Sequence, residues 1–190
     1  FDAAILFSDI LFPLDYLGME LAFNPGPQFS KPLTEELLKN EKDKNFSDYI
    51  QFQINGLKLI RETLPLNKSL IGFVGGPYTL FQFAQRHPES NSDLLNNFLP
   101  LIENILEKNI DLQFSVDLDL LMIFDTEAQH LSIEEFNSIT KPFIEKMTLK
   151  YPGKIGYFTK NIDSKKFESL KTIKDLKLTV MGSDHNIFNE

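Results

Sequence analysis

Five short, nearly uninterrupted apolar runs, separated by longer stretches of helical spacing, constrain this chain more than any other feature. The runs cover residues 3–7, 69–74, 118–124, 154–159 and 177–181. They do not alternate apolar with polar residues, as a half-buried strand would; continuous apolar strands are those covered on both faces. Between them, 48–64 sets Ile50, Ile54, Leu57 and Ile60 near one helical face and stops before Pro65, while 93–110 repeats Leu94, Phe98, Leu101 and Ile105 at three- and four-residue steps. Ser132-Ile133-Glu134-Glu135 reads as a capping box. It opens a helix that should end near Tyr151 and bend at Pro142. A shorter helix is expected over 165–173. Strand–helix alternation of this kind specifies a parallel sheet flanked by helices.

Two architectures satisfy that pattern, a doubly wound open sheet and a (β/α) barrel. The dinucleotide fingerprint of the first is missing, since Gly72-x-x-Gly75-Gly76-Pro77 has the wrong spacing and its proline interrupts the amide cradle. Five strands in 190 residues fall short of a complete eight-stranded barrel, which typically takes about 250. The expectation is an α/β fold, a partial (β/α)8 TIM barrel forming one incomplete domain over 1–190. Both ends read as an internal segment of a longer protein. Two open sheet edges would make the isolated chain prone to association.

Composition removes several function classes. Cysteine is absent, so there is no disulfide framework and no thiolate chemistry, and the three histidines (His87, His130, His185) stand far apart. A net charge of −8, with only Arg61 and Arg86 among the 19 basic residues being arginine, argues against nucleic acid. No apolar run approaches the roughly 20 residues needed to span a membrane.

In parallel α/β folds the working residues follow the carboxyl ends of strands. This selects Ser8-Asp9, Gly75 through Thr79, Asp125-Thr126-Glu127, Thr159-Lys160 and Ser183-Asp184-His185. Asp9 stands out, because it lies between an apolar strand and Ile10-Leu11-Phe12, where an ionised carboxylate is costly without donors. The plainer reading makes it a helix cap. Asp125-Thr126 either caps the next turn or lines the same cavity as Asp9. Adjacent strand residues point to opposite faces, so His185 is not a partner for Asp184. His130 reads as a surface residue without a partner, and His87 as a loop residue. Phe7, Phe12, Phe73, Phe83 and Phe124 are first of all core, and could also floor an apolar pocket.

These residues carry a family likeness. The stretch 1–11, Phe-Asp-Ala-Ala-Ile-Leu-Phe-Ser-Asp-Ile-Leu, with Leu17-Gly18-Met19 and Pro25-Gly26, resembles the aspartate-bearing segment of uroporphyrinogen decarboxylases. Residues 70–80, with Gly75-Gly76-Pro77-Tyr78-Thr79, are similar to the family's second signature, where the aromatic after proline is usually tryptophan. Met122-Ile123-Phe124-Asp125-Thr126 with Leu131-Ser132 resembles the third, and Gly182-Ser183-Asp184 the end of the sixth barrel strand.

The resemblance implies a (β/α)8 barrel of which this chain supplies strands two to six. It also implies cofactor-free, metal-free removal of carbon dioxide from the four acetate arms of uroporphyrinogen, by a cytoplasmic homodimer with a tetrapyrrole as its small-molecule partner. Asp9 then matches the aspartate that accepts pyrrole N–H groups and stabilises the cationic ring. Thr126 matches a Ser/Thr that contacts a substrate carboxylate. Phe83 stands where the family has a substrate-binding tyrosine, which removes one hydrogen bond, and Gln129 stands where glycine is common. Uroporphyrinogen carries eight carboxylates, yet neither arginine lies in the strand-end signatures, so this segment should hold the pyrrole floor without the carboxylate clamps and be inactive alone. Two other readings remain open: a cobamide-dependent methyltransferase of the same fold that uses zinc, and a degenerate barrel that binds without catalysis.

Overall fold

The computed structural model describes residues 2–6, 8–39 and 45–182. Each of the five apolar runs falls on a strand: β1 (Ala3–Ile5), β4 (Ser69–Gly75), β5 (Leu120–Phe124), β6 (Ile155–Lys160) and β7 (Leu176–Gly182). They form one sheet in the order β1-β4-β5-β6-β7, parallel throughout. Each strand is added beyond its predecessor in chain order. That is the winding of a (β/α) barrel; a doubly wound sheet reverses direction at a switch point. The fold is α/β, an open arc of a TIM-type barrel.

The helices follow the spacing with local corrections. Between β1 and β4 come α1 (Phe12–Leu14), a widened turn at Asp15–Met19, a hairpin of β2 (Leu21–Phe23) and β3 (Pro27–Phe29), α2 (Glu35–Lys39), α3 (Phe46–Tyr49) and α4 (Gln51–Thr63). The helix expected over 48–64 is thus broken at Ile50. Further on are α5 (Pro77–Ala84), α6 (Leu95–Phe114), α7 (Ile133–Glu135), α8 (Lys141–Lys150) and α9 (Ser164–Lys171).

The capping box is present. Ser132 Oγ accepts from Glu135 N–H at 3.1 Å and Glu135 Oε2 accepts from Ser132 N–H at 2.8 Å. The bend lies just before Pro142, in the wide turn Phe136–Thr140, where Lys141 N–H reaches back five residues to Phe136 O. Proline has no N–H to offer the carbonyl four residues earlier, and the widened turn absorbs the mismatch. The third strand starts at Leu120 instead of 118 because Leu118 is core and Asp119 turns its carboxylate to accept Leu70 N–H at 2.7 Å.

The two sheet faces differ. Leu70, Val74, Leu121, Ile123, Ile155 and Tyr157 are buried in one core with Phe98, Ile102, Ile105 and Ile110 of α6. Burying each such side chain stabilises by about 1.5–3 kcal/mol. The alternate residues form the other, concave face. There Phe73, Phe124 and Phe158 stand in a row on adjacent strands, with ring centroids 5.8 and 5.3 Å apart.

β1 is short, and its shortness sets up the mouth of the arc. It pairs with β4 only from Ala3–Ser69 to Ile5–Ile71, after Ser69 N–H has bonded Asp2 O at 3.2 Å. Two residues further along that edge, Phe73 pairs instead with a side chain. Gln113 Oε1 accepts Phe73 N–H at 3.1 Å and Gln113 Nε2 donates to Phe73 O at 3.0 Å. Gly72 permits this, since a Cβ there would collide with Gln113 Oε1 and Leu118. With β4 satisfied by α6, the chain after β1 leaves the sheet and lays Ser8 and Asp9 across the strand ends.

Candidate functional site

At that mouth lies a cleft of about 390 Å³ lined by Ile5, Ser8, Asp9, Ile10, Phe73, Phe83, Phe124 and Thr126. Asp9, Phe83 and Thr126, which come from β1's exit loop, α5 and the turn after β5, share it. Phe73 and Phe124 supply aromatic walls. Phe12 does not; it packs edge-on against Phe52 at 5.1 Å. Phe7, Ser183, Asp184 and His185 lie outside the described residues. Asp9 divides its carboxylate between two tasks. Oδ1 accepts Leu11 N–H at 2.8 Å, the capping role, whereas Oδ2 has no hydrogen-bond or ion-pair partner among the described residues. Ser8 Oγ is buried with no partner among the described residues. Thr159 does not line the cleft; it is buried within the fold.

The residue beside Thr126 is the hub that holds this corner together. Asp125 is fully buried. Its Oδ1 accepts from Thr79 N–H at 3.2 Å and Thr79 Oγ1–H at 2.6 Å, and its Oδ2 from Tyr157 O–H at 3.1 Å and Thr140 O–H at 3.3 Å. Thr79 Oγ1 in turn accepts Glu127 N–H at 3.0 Å, and Asp125 N–H continues the ladder to Phe158 O at 2.8 Å. Thr126 is therefore fixed from both sides. Gly76, preceding Pro77 at the start of α5, makes room: a Cβ there would overlap the Asp125 side chain. Neither the hub nor Gln113 is visible from spacing, because their partners lie about 15 to 48 positions away.

Burial raises the Asp125 carboxyl above its ordinary value of 3.8, and the four donors only offset this in part. The native state therefore holds this proton to higher pH than the unfolded chain does. Its contribution to stability is complete below the unfolded value and falls as pH rises through the native one. Asp125→Asn removes that component. Urea unfolding of both proteins between pH 4 and 7 should show the wild type losing stability relative to Asp125→Asn as pH rises. A constant difference across that range would contradict the raised value.

Above the cleft, the Arg86 guanidinium carbon lies 3.6 Å from the Phe83 ring centroid. Glu127 faces both Arg86, at 3.8 Å, and His130 Nε2, at 3.6 Å. His130 is a surface residue as expected, but it does have a partner. Arg61 is at the other end of the sheet, held by Asp119 and Lys68 O.

A family model described as uroporphyrinogen decarboxylase (URO-D) matches residues 1–188. The chain belongs to the uroporphyrinogen decarboxylase family. Among curated uroporphyrinogen decarboxylases, that of Sulfurovum sp. is 29% identical over 174 residues, covering 80% of this chain and 49% of the relative. That of Citrifermentans bemidjiense is 30% identical over 162 residues, with 77% and 47% coverage. That of Campylobacter jejuni is 34% identical over 151 residues, with 71% and 44% coverage. The chain thus spans about half the length of these uroporphyrinogen decarboxylases. A solved methyltransferase from Methanosarcina mazei superposes with a TM-score of 0.60 at 16% identity, covering 83% of this chain and 51% of that one. At that identity it speaks for the fold alone.

Proposed function

We propose that this chain forms the pyrrole-binding part of a uroporphyrinogen decarboxylase, which converts the four acetate arms of uroporphyrinogen to methyl groups and yields coproporphyrinogen for tetrapyrrole and haem synthesis. The observation that supports this most is the Oδ2 of Asp9, unengaged among the described residues, at an apolar cleft walled by Phe73, Phe83 and Phe124. Such a cleft accepts the flat, apolar pyrroles, and the carboxylate offers an acceptor to their N–H groups. Protonation of the pyrrole α-carbon next to the carbon that bears an acetate arm makes the ring cationic, with the arm-bearing carbon at one end of the delocalised iminium. The bond to the carboxylate then breaks, its electron pair neutralises the ring, and carbon dioxide leaves. A proton added to the resulting methylene completes the methyl group as the ring proton departs, so one proton replaces one carbon dioxide. A fixed negative charge at short range in an apolar cleft favours the cation more than the neutral ground state.

Thr126 offers a hydroxyl to a substrate carboxylate, and Phe83 offers only its ring. Phe83→Tyr should add one hydrogen bond, about 0.5–1.5 kcal/mol, and raise kcat/KM by roughly two- to tenfold. Unchanged kinetics would separate Phe83 from the substrate. No cofactor is part of the proposal, and the cytoplasmic homodimer implied by the family resemblance is.

The deciding experiment supplies uroporphyrinogen to the protein as encoded by its gene and follows stepwise loss of four carboxylates by chromatography of the oxidised porphyrins. Coproporphyrinogen as end product supports the reading, and no loss from a folded protein overturns it. Binding without turnover would favour the non-catalytic barrel, a reading for which Phe83 in place of tyrosine is the supporting observation.

A further inference from the structure

We propose that Arg86 builds a carboxylate subsite beside the Asp9 cleft, taking one anionic arm of the macrocycle; this rests on the decarboxylase reading above. The helix end explains its placement. Arg86 N–H bonds Phe83 O at 3.1 Å as α5 terminates, which folds the arginine back over the Phe83 ring. Stacking of this kind orients a guanidinium while leaving its edge donors available. Phe83 lines the Asp9 cleft, whereas Arg86 lines an adjoining groove of about 240 Å³ with Pro27, Gln28 and Phe29 of the hairpin and with His87 and Pro88. The stack of the guanidinium on that ring, at 3.6 Å, links the two. A macrocycle against the ring would send an arm past its edge into the groove, toward the cation.

The donors are available for this. The Arg86 guanidinium makes no hydrogen bond among the described residues, and its ion pair with Glu127 at 3.8 Å is beyond hydrogen-bond length. The side chain is 52% exposed. Bidentate capture of carboxylate is the interaction for which arginine is best suited. The chain carries a net charge of −8, so a polyanionic substrate needs such a local cation at the mouth. Glu127, 23% exposed, faces the same guanidinium and competes with the incoming carboxylate, with His130 behind it.

The test compares wild type, Arg86→Gln and Glu127→Gln in the protein as encoded by its gene, with uroporphyrinogen as substrate. Arg86→Gln should raise KM about tenfold with kcat within twofold and the melting temperature unchanged, which marks lost binding as distinct from lost fold. Glu127→Gln should lower KM. If the wild type is active and Arg86→Gln has a KM within twofold of it, or loses kcat alone, the subsite is wrong and the decarboxylase reading stands. A rise in KM for Glu127→Gln would also overturn it. If the wild type neither binds nor converts uroporphyrinogen, both proposals fall.

Discussion

Asp9→Asn should lower decarboxylation of uroporphyrinogen by about 10²–10³-fold, the range seen when one preorganised electrostatic group is removed from a transition state. Asparagine is the informative replacement. Its amide oxygen can still accept Leu11 N–H, so the turn that leads into α1 keeps its cap and the melting temperature should stay within a few degrees. What disappears is the charge on the other oxygen, the one without a partner among the described residues. A neutral amide can bind a pyrrole N–H through its oxygen or offer its own hydrogens, but it cannot balance a cationic ring. The loss should therefore fall on kcat more than on KM. A variant that retains more than a tenth of wild-type activity would place the decisive charge elsewhere.

Asp125→Ala should cost about 3–5 kcal/mol of folding stability, although Asp125 itself does not line the cleft. The substitution strands three hydroxyls and one backbone N–H in a region closed to solvent, and it leaves a void beside Gly76. Each unsatisfied buried donor costs roughly 1–3 kcal/mol before the hydroxyls rotate to find other acceptors. For a chain of this size, the expected fall in melting temperature is roughly 10–15 °C. Asp125→Asn should be far milder, because an amide can accept from Thr79 and donate to Tyr157 and Thr140. Thermal unfolding of the two variants side by side checks this, and near-equal losses would show that the hydrogen-bond geometry is not what stabilises the corner.

Much of this architecture can be read from the residues alone, for identifiable reasons. The strands announce themselves because both faces of a parallel sheet must be apolar, and the strand-end rule points to Asp9 and Thr126, which do share a cleft. The hairpin at 21–29 leaves no such trace, since strands of three residues are shorter than any period they could display. The hub around Asp125 and the Gln113 bridge are equally silent, because each joins groups that only the fold brings together. Arg86 lies between these cases. Its three-residue separation from Phe83 allows a stack at a helix end, but the separation alone does not say that the ring faces a cleft.

The brevity of β1 has a mechanical consequence. The aspartate is carried by the least extensively laced strand of the sheet, and the next rung along that edge of β4 is already tied off by a helix side chain. The turn bearing Asp9 can therefore shift without unlacing the neighbouring strand, so local adjustment at the rim is separated from the integrity of the wall behind it.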